Sequence, residues 1–175
     1  KPDNETLLYW PIYDTWGKNL ENTLFFEFKI HSLKKWLHNT PFYETTKGLM
    51  EQGYALDFIS DNFIEKASFK DGVIQLPGGS YKSLVIPTCK NIPLKTLEKL
   101  IDLKKQGAKI IFENLPESVP GFNNYKTQNI ALQKLLDDNK NIINPTKNLI
   151  ADLNEANVLP EKLVETGLKF IKRDD

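Results

Sequence analysis

The residue types best suited to chemistry in this chain stand near its start, where Asp14 lies between Tyr13 and Trp16 just after a short apolar run. A carboxylate beside aromatic faces is one way to hold a sugar. The rings stack on C–H faces while the acid accepts hydrogen bonds from hydroxyls. Asp14 and Trp16 are therefore the candidate substrate-binding residues. The same residues also fit a packed Trp16 and an Asp14 that caps a turn.

Cys89 is the candidate nucleophile. It follows a β-rich run at residues 84–87 (LVIP) and precedes a helix opening near Pro93. A helix N-terminus lowers a thiol pKa and offers amides to an oxyanion. The strained elbow this requires needs small neighbours. The flanks here are Pro87-Thr88 and Lys90-Asn91-Ile92-Pro93, without glycine, and both histidines, His31 and His38, precede the cysteine. The residues favour a small, inert, partly buried thiol over a nucleophile.

Other chemistries find less support. His31 and His38 have no cysteine or carboxylate cluster at ligand spacing, so no metal site is expected. Asp61/Glu65 and Asp137/Asp138 read as solvated helix faces rather than acid/base pairs, and so do Lys95, Lys99, Lys104 and Lys105. The turn after the first apolar run, Tyr13-Asp14-Thr15-Trp16-Gly17, has one glycine and bulky rings, and Gly78-Gly79 fits a β turn. A phosphate-cradling loop needs more open backbone, so no nucleotide or flavin cofactor is expected. The 23 basic residues balance the 23 acidic ones, giving no field that draws nucleic acid. No apolar run reaches the ~18 residues of a membrane helix.

The elements that position these residues alternate between strand and helix. Strands are expected at residues 7–12, 54–59, 84–87 and 108–112, with a fifth at 141–144 and a last at 167–172. Thr40 caps a helix with Pro41 at its first position and Gly53 at its end, and a short helix runs from Asp61 to Ala67. Residues 68–83, with Asp71-Gly72 and Gly78-Gly79, form a small β excursion. A helix over residues 93–106 stops at Gly107, another is capped by Thr127, and Leu149, Ile150, Leu153 and Ala156 mark a final one. This pattern predicts an α/β fold with a mostly parallel central sheet of about five strands covered on both faces. Residues 14–40 are a long connection holding Trp16, Phe25, Phe26, Phe28 and Trp36. So many rings are expected to form an apolar patch against a neighbouring domain.

Several stretches, in order, resemble α-L-rhamnosidases of glycoside hydrolase family 106. They are Leu8-Tyr9-Trp10-Pro11, Asp14-x-Trp16, Trp36-Leu37 through Pro41-Phe42, Leu49-Met50 through Phe58-Ile59, Gly79-x-Tyr81 through Pro87, Pro93-Leu94 through Leu100, Gln106 through Phe112, Leu115 through Gly121, and Gly167 through Arg173. The resemblance implies a large periplasmic or extracellular enzyme. In it a catalytic (β/α) barrel precedes a three-layer, flavodoxin-like domain akin to class I glutamine amidotransferases. The resemblance implies that residues 1–175 are a single accessory domain, that second domain alone, excised from a larger glycosidase. The family's catalytic acids belong to the barrel, so no catalytic residue, metal or cofactor is carried over. The expected role is a non-catalytic accessory domain bracing the barrel, its partner in the same parent chain, and walling a carbohydrate cleft. The alternatives are a stand-alone amidotransferase-like hydrolase using Cys89 and a small-molecule binding module.

Overall fold

A computed structural model describes residues 3–17, 33–171 and 173. Seven strands and seven α-helices are found among them, in the order β1 (Thr6–Tyr9), α1 (Ile12–Trp16), α2 (Leu33–Trp36), α3 (Pro41–Glu51), β2 (Leu56–Ile59), α4 (Asp61–Ile64), β3 (Ser68–Lys70), β4 (Val73–Leu76), β5 (Gly79–Tyr81), β6 (Ser83–Ile86), α5 (Leu94–Lys105), β7 (Lys109–Phe112), α6 (Tyr125–Asp138) and α7 (Leu149–Glu155). A 3-10 helix, Lys162–Thr166, follows.

The chain is mixed α/β. Four strands pair in parallel in the order β2-β1-β6-β7, and three pair antiparallel in the order β3-β4-β5. Thr6 stands opposite both Leu56 and Ser83, and Leu84 opposite Ile110, which sets the register across the parallel sheet. The central strands are short continuous apolar runs because both their faces are buried. Leu7, Tyr9, Leu84, Ile86, Ile110 and Phe112 enter one core with Leu97, Leu100 and Ile101 of α5 and Leu132 of α6. Leu8, Val85 and Ile111 enter a second core with Phe42 and Leu49 of α3 and Leu153 of α7. Each fully buried aliphatic side chain contributes roughly 1.5–3 kcal/mol. The small antiparallel sheet joins the first core through Ile74.

Local signals explain most element ends. The Thr40 hydroxyl accepts from the Tyr43 N–H at 3.2 Å, and Pro41 opens α3. Asp71 (φ 54°) and Gly72 (φ 80°) both take the left-handed conformation that turns β3 into β4. Gly53 follows α3 at φ 93° and packs so close to the later chain that a Cβ would lie 2.6 Å from the Glu161 carbonyl oxygen.

Some expectations need correction. The first strand ends at Tyr9, because Pro11 lacks an N–H to extend the ladder and α1 starts at once. Tyr13, Asp14 and Trp16 are thus on a helix, not on a turn. The expected fifth strand is reduced to one parallel bridge between Phe112 and Pro145. The N–H groups of Ile142 and Ile143 instead close onto the Asn139 carbonyl at 2.8 and 3.0 Å as α6 unwinds. Asn124, left-handed at φ 52°, starts α6 three residues before the expected Thr127. Residues 167–171 form no strand.

Candidate functional site

Ligands of parallel α/β sheets sit beyond the carboxyl ends of the strands. Three acidic side chains stand there, and each is engaged by the fold. Asp14, on α1 after β1, accepts from the Lys90 N–H at 2.6 Å and from the Asn91 backbone and side-chain N–H groups at 2.8 and 2.9 Å. Asp61, after β2, accepts from the Tyr9 hydroxyl at 2.9 Å and the Thr96 hydroxyl at 2.6 Å. Glu113, after β7, accepts from the Thr45 hydroxyl at 2.9 Å and the Thr88 N–H at 3.0 Å. The carboxylates act as clamps between segments distant in sequence. The Asp14 clamp continues outward, since the Ser118 hydroxyl donates to the Asn91 side-chain carbonyl at 2.8 Å and the Ile92 N–H to the Ser118 carbonyl at 3.0 Å.

Burial of the Tyr9 phenol, with the Asp61 charge beside it, raises its pKa well above the ordinary range. Cys89 lies inside the first core, 3% exposed. Burial pushes its thiol up to about 12, and the negative charges of Asp14 and Asp61 add to the shift. A nucleophilic cysteine needs the opposite environment, one that stabilises the thiolate. His38 stacks on Tyr43 with ring centroids 4.6 Å apart, and His31 lies outside the described residues. Among the described residues no group of three or more His, Cys, Asp or Glu side chains could hold a metal ion, and no helix is long and apolar enough to cross a membrane.

The Asp14 clamp supports an open groove of 690 Å³. Its walls are Tyr13, Trp16 and Gly17 from α1 and its end, Asn91 and Pro93 from the loop after β6, and residues from Val119 to Gln128. Tyr13 and Trp16 meet edge to face, centroids 5.7 Å apart and planes at 89°. Trp16 is 56% exposed, Phe122 fully exposed and Tyr125 41% exposed. No Asp, Glu, Lys or Arg is among the described residues that line it.

Trp16 and Asp14 are therefore near neighbours on different surfaces: the indole lines the groove, while Asp14 accepts from Lys90 and Asn91 and borders the cavity beside Trp10 and Trp36. Phe122 and Tyr125 escaped the sequence reading because they sit in a Pro/Gly/Asn loop and a helix start more than 100 residues away. Their only signal was the presence of large rings beside Gly121. Of the rings expected to form an apolar patch, Trp36 is instead buried, and it lines a 160 Å³ cavity with Trp10, Phe42 and Thr88. Phe25, Phe26 and Phe28 lie outside the described residues.

The model of glycoside hydrolase family 106, described as alpha-L-rhamnosidase, matches residues 33–174. A protein of Formosa agariphila named "Putative beta-glucuronidase" is 34% identical over 90 residues, which are 51% of this chain and 8% of that protein. The structure of a rhamnosidase from Novosphingobium sp. PP1Y superposes with a TM-score of 0.51 at 18% identity, over 62% of this chain and 12% of that one. The latter is a likeness of fold. The chain spans only about a tenth of the length of either relative.

Proposed function

This chain belongs to glycoside hydrolase family 106, the alpha-L-rhamnosidase family, and from that membership we propose that it is a non-catalytic accessory domain of a longer glycosidase. The observation that carries the reading is the state of the carboxylates at the strand ends. Hydrolysis of a glycoside needs two carboxyl groups facing each other across the sugar. Asp14, Asp61 and Glu113 are each turned to the fold's own donors. Catalysis then rests with another part of the parent protein, a barrel in this reading, and residues 1–175 act as a single domain that braces it.

The flavodoxin-like, amidotransferase-like description belongs to the same proposal. Its support is the order of the parallel strands, in which the second and third strands of the parallel sheet flank the first, and the burial of both sheet faces. Trp16 is the residue placed to meet a carbohydrate, with Asp14 holding the helix that carries it. The parent's substrate is a rhamnose-containing glycan. A polymer of that kind is met outside the cytoplasm, so periplasmic or extracellular residence is part of the proposal.

The test is to incubate this chain with 4-nitrophenyl α-L-rhamnopyranoside, and to compare the longer parent protein with and without it. The expected result is no release of nitrophenol by the chain alone and a parent of lower melting temperature when the domain is removed. Turnover by the isolated chain, lost on substitution of Cys89 or a strand-end carboxylate, would overturn the accessory reading.

A further inference from the structure

The groove between α1 and the segment from Val119 to Gln128 combines two properties that rarely coincide on a surface without a ligand. Three of its rings, Trp16, Phe122 and Tyr125, are exposed, Tyr13 is half-buried, and its described lining is uncharged. An isolated exposed ring is ordinary on a protein surface, whereas several converging on one concavity mark a binding surface. Here Trp16 and Tyr13 come from one side of the groove and Phe122 and Tyr125 from the other.

We infer that Tyr13, Trp16, Phe122 and Tyr125 form a stacking subsite for a neutral sugar ring, one that discriminates against uronic acids. This rests on the accessory-domain reading and gives that domain a ligand class. Aromatic faces attract the weakly positive C–H faces of a pyranose, and the phenol of Tyr125 and the side-chain carbonyl of Gln128, whose NH2 already donates to the Asn123 carbonyl, are the polar groups available for its hydroxyls. A carboxylate-bearing sugar would lose hydration on entering such a groove and find no lysine or arginine among the described lining residues to replace it. The rings are also held in place. Tyr13 braces the Trp16 indole edge to face. Asp14 ties their helix to Lys90 and Asn91, and Asn91 is tied in turn to Ser118 at the start of the opposite wall. A subsite already assembled loses less ordering entropy on binding.

The experiment is ligand-observed NMR on this chain with methyl α-L-rhamnopyranoside and, separately, D-glucuronate. Wild type is compared with Trp16→Ala and Phe122→Ala, both at exposed positions where the fold should survive; an unchanged urea midpoint verifies this. The neutral glycoside should bind with a dissociation constant on the order of millimolar. Each variant should weaken it at least about threefold, as loss of one ring stack implies. Glucuronate should bind at least about fivefold more weakly, the discrimination a desolvated, unpaired charge produces. Equal or tighter binding of glucuronate overturns the neutral preference. Binding of neither sugar, or binding indifferent to both substitutions, overturns the subsite and leaves the groove as a face for a protein neighbour. The accessory role is judged apart from this, by the missing turnover and the stability of the parent.

Discussion

The Asp14 carboxylate and the Asn91 side chain and backbone are joined by two hydrogen bonds of 2.9 and 2.8 Å across 77 residues of sequence. This link ties α1 to the loop that follows β6, whose Asn91 lines the groove. The carboxylate accepts a third bond, from the Lys90 N–H at 2.6 Å.

Asp14→Ala is expected to destabilise the chain by about 1.5–3 kcal/mol, the range for hydrogen bonds to a charged group. Asp14→Asn should lose less, since an amide oxygen can still accept from Asn91 while its NH2 opposes Lys90. Urea unfolding followed by circular dichroism reads both values. A midpoint unchanged in Asp14→Ala would show that the clamp contributes nothing.

Cys89 should resist alkylation by iodoacetamide at neutral pH and react only on unfolding, because burial and the neighbouring carboxylates hold it as the thiol. The shift also has a sign in stability. The buried thiol keeps its proton above the ordinary value of 9.0, up to about 12, whereas the unfolded thiol releases it. Its contribution is therefore fully present below pH 9 and declines as pH rises, by at most about 1.4 kcal/mol per unit. Between pH 9 and 10, before tyrosines add their own effect, Cys89→Ala should show a flatter fall in stability than the wild type. Parallel curves would contradict the assignment.

Gly53→Ala is expected to destabilise by about 2 kcal/mol or more. The left-handed conformation alone costs about 1–2 kcal/mol for a residue with a Cβ. The added methyl would also press on the Glu161 carbonyl, whose residue donates its N–H to the Gly53 carbonyl at 2.8 Å. Limited proteolysis should then cut more readily near the 3-10 helix at Lys162–Thr166. An equally protected segment would argue that the contact is dispensable.

Tyr9→Phe removes the hydroxyl that reaches Asp61 from the buried end of β1. Thr96 still donates to the same carboxylate oxygen, so the loss should be moderate, about 1–2 kcal/mol. A thermal or urea midpoint with an unchanged denaturant slope is the expected signature. A gain in stability would mean that the phenol is less well satisfied than the geometry indicates.

Much of this architecture is written locally, in the sequence alone. The short, β-rich apolar runs around Leu8, Val85 and Ile111 suit strands buried on both faces, and the Thr40-Pro41 start and the Asp71-Gly72 turn are set by side-chain and backbone preferences of the residues themselves. The ordered motifs also carried the family likeness, because they record those same local constraints. The tertiary structure decided what depends on distant partners. Residues 141–144 have strand-like composition, yet their N–H groups turn back to Asn139, and only Pro145 meets the sheet. Trp16 and Trp36 are the same residue type in one connection, but Trp36 finds a cavity wall and Trp16 an open groove. Asp14 could equally have met a ligand or capped a turn. In the folded chain it accepts from Lys90 and Asn91, which the parallel pairing of β1 with β6 brings beside it. Hydrogen bonds across 77 residues leave no periodicity in a sequence, and for that reason the groove and its second wall, Phe122 and Tyr125, could be seen only once the chain was folded.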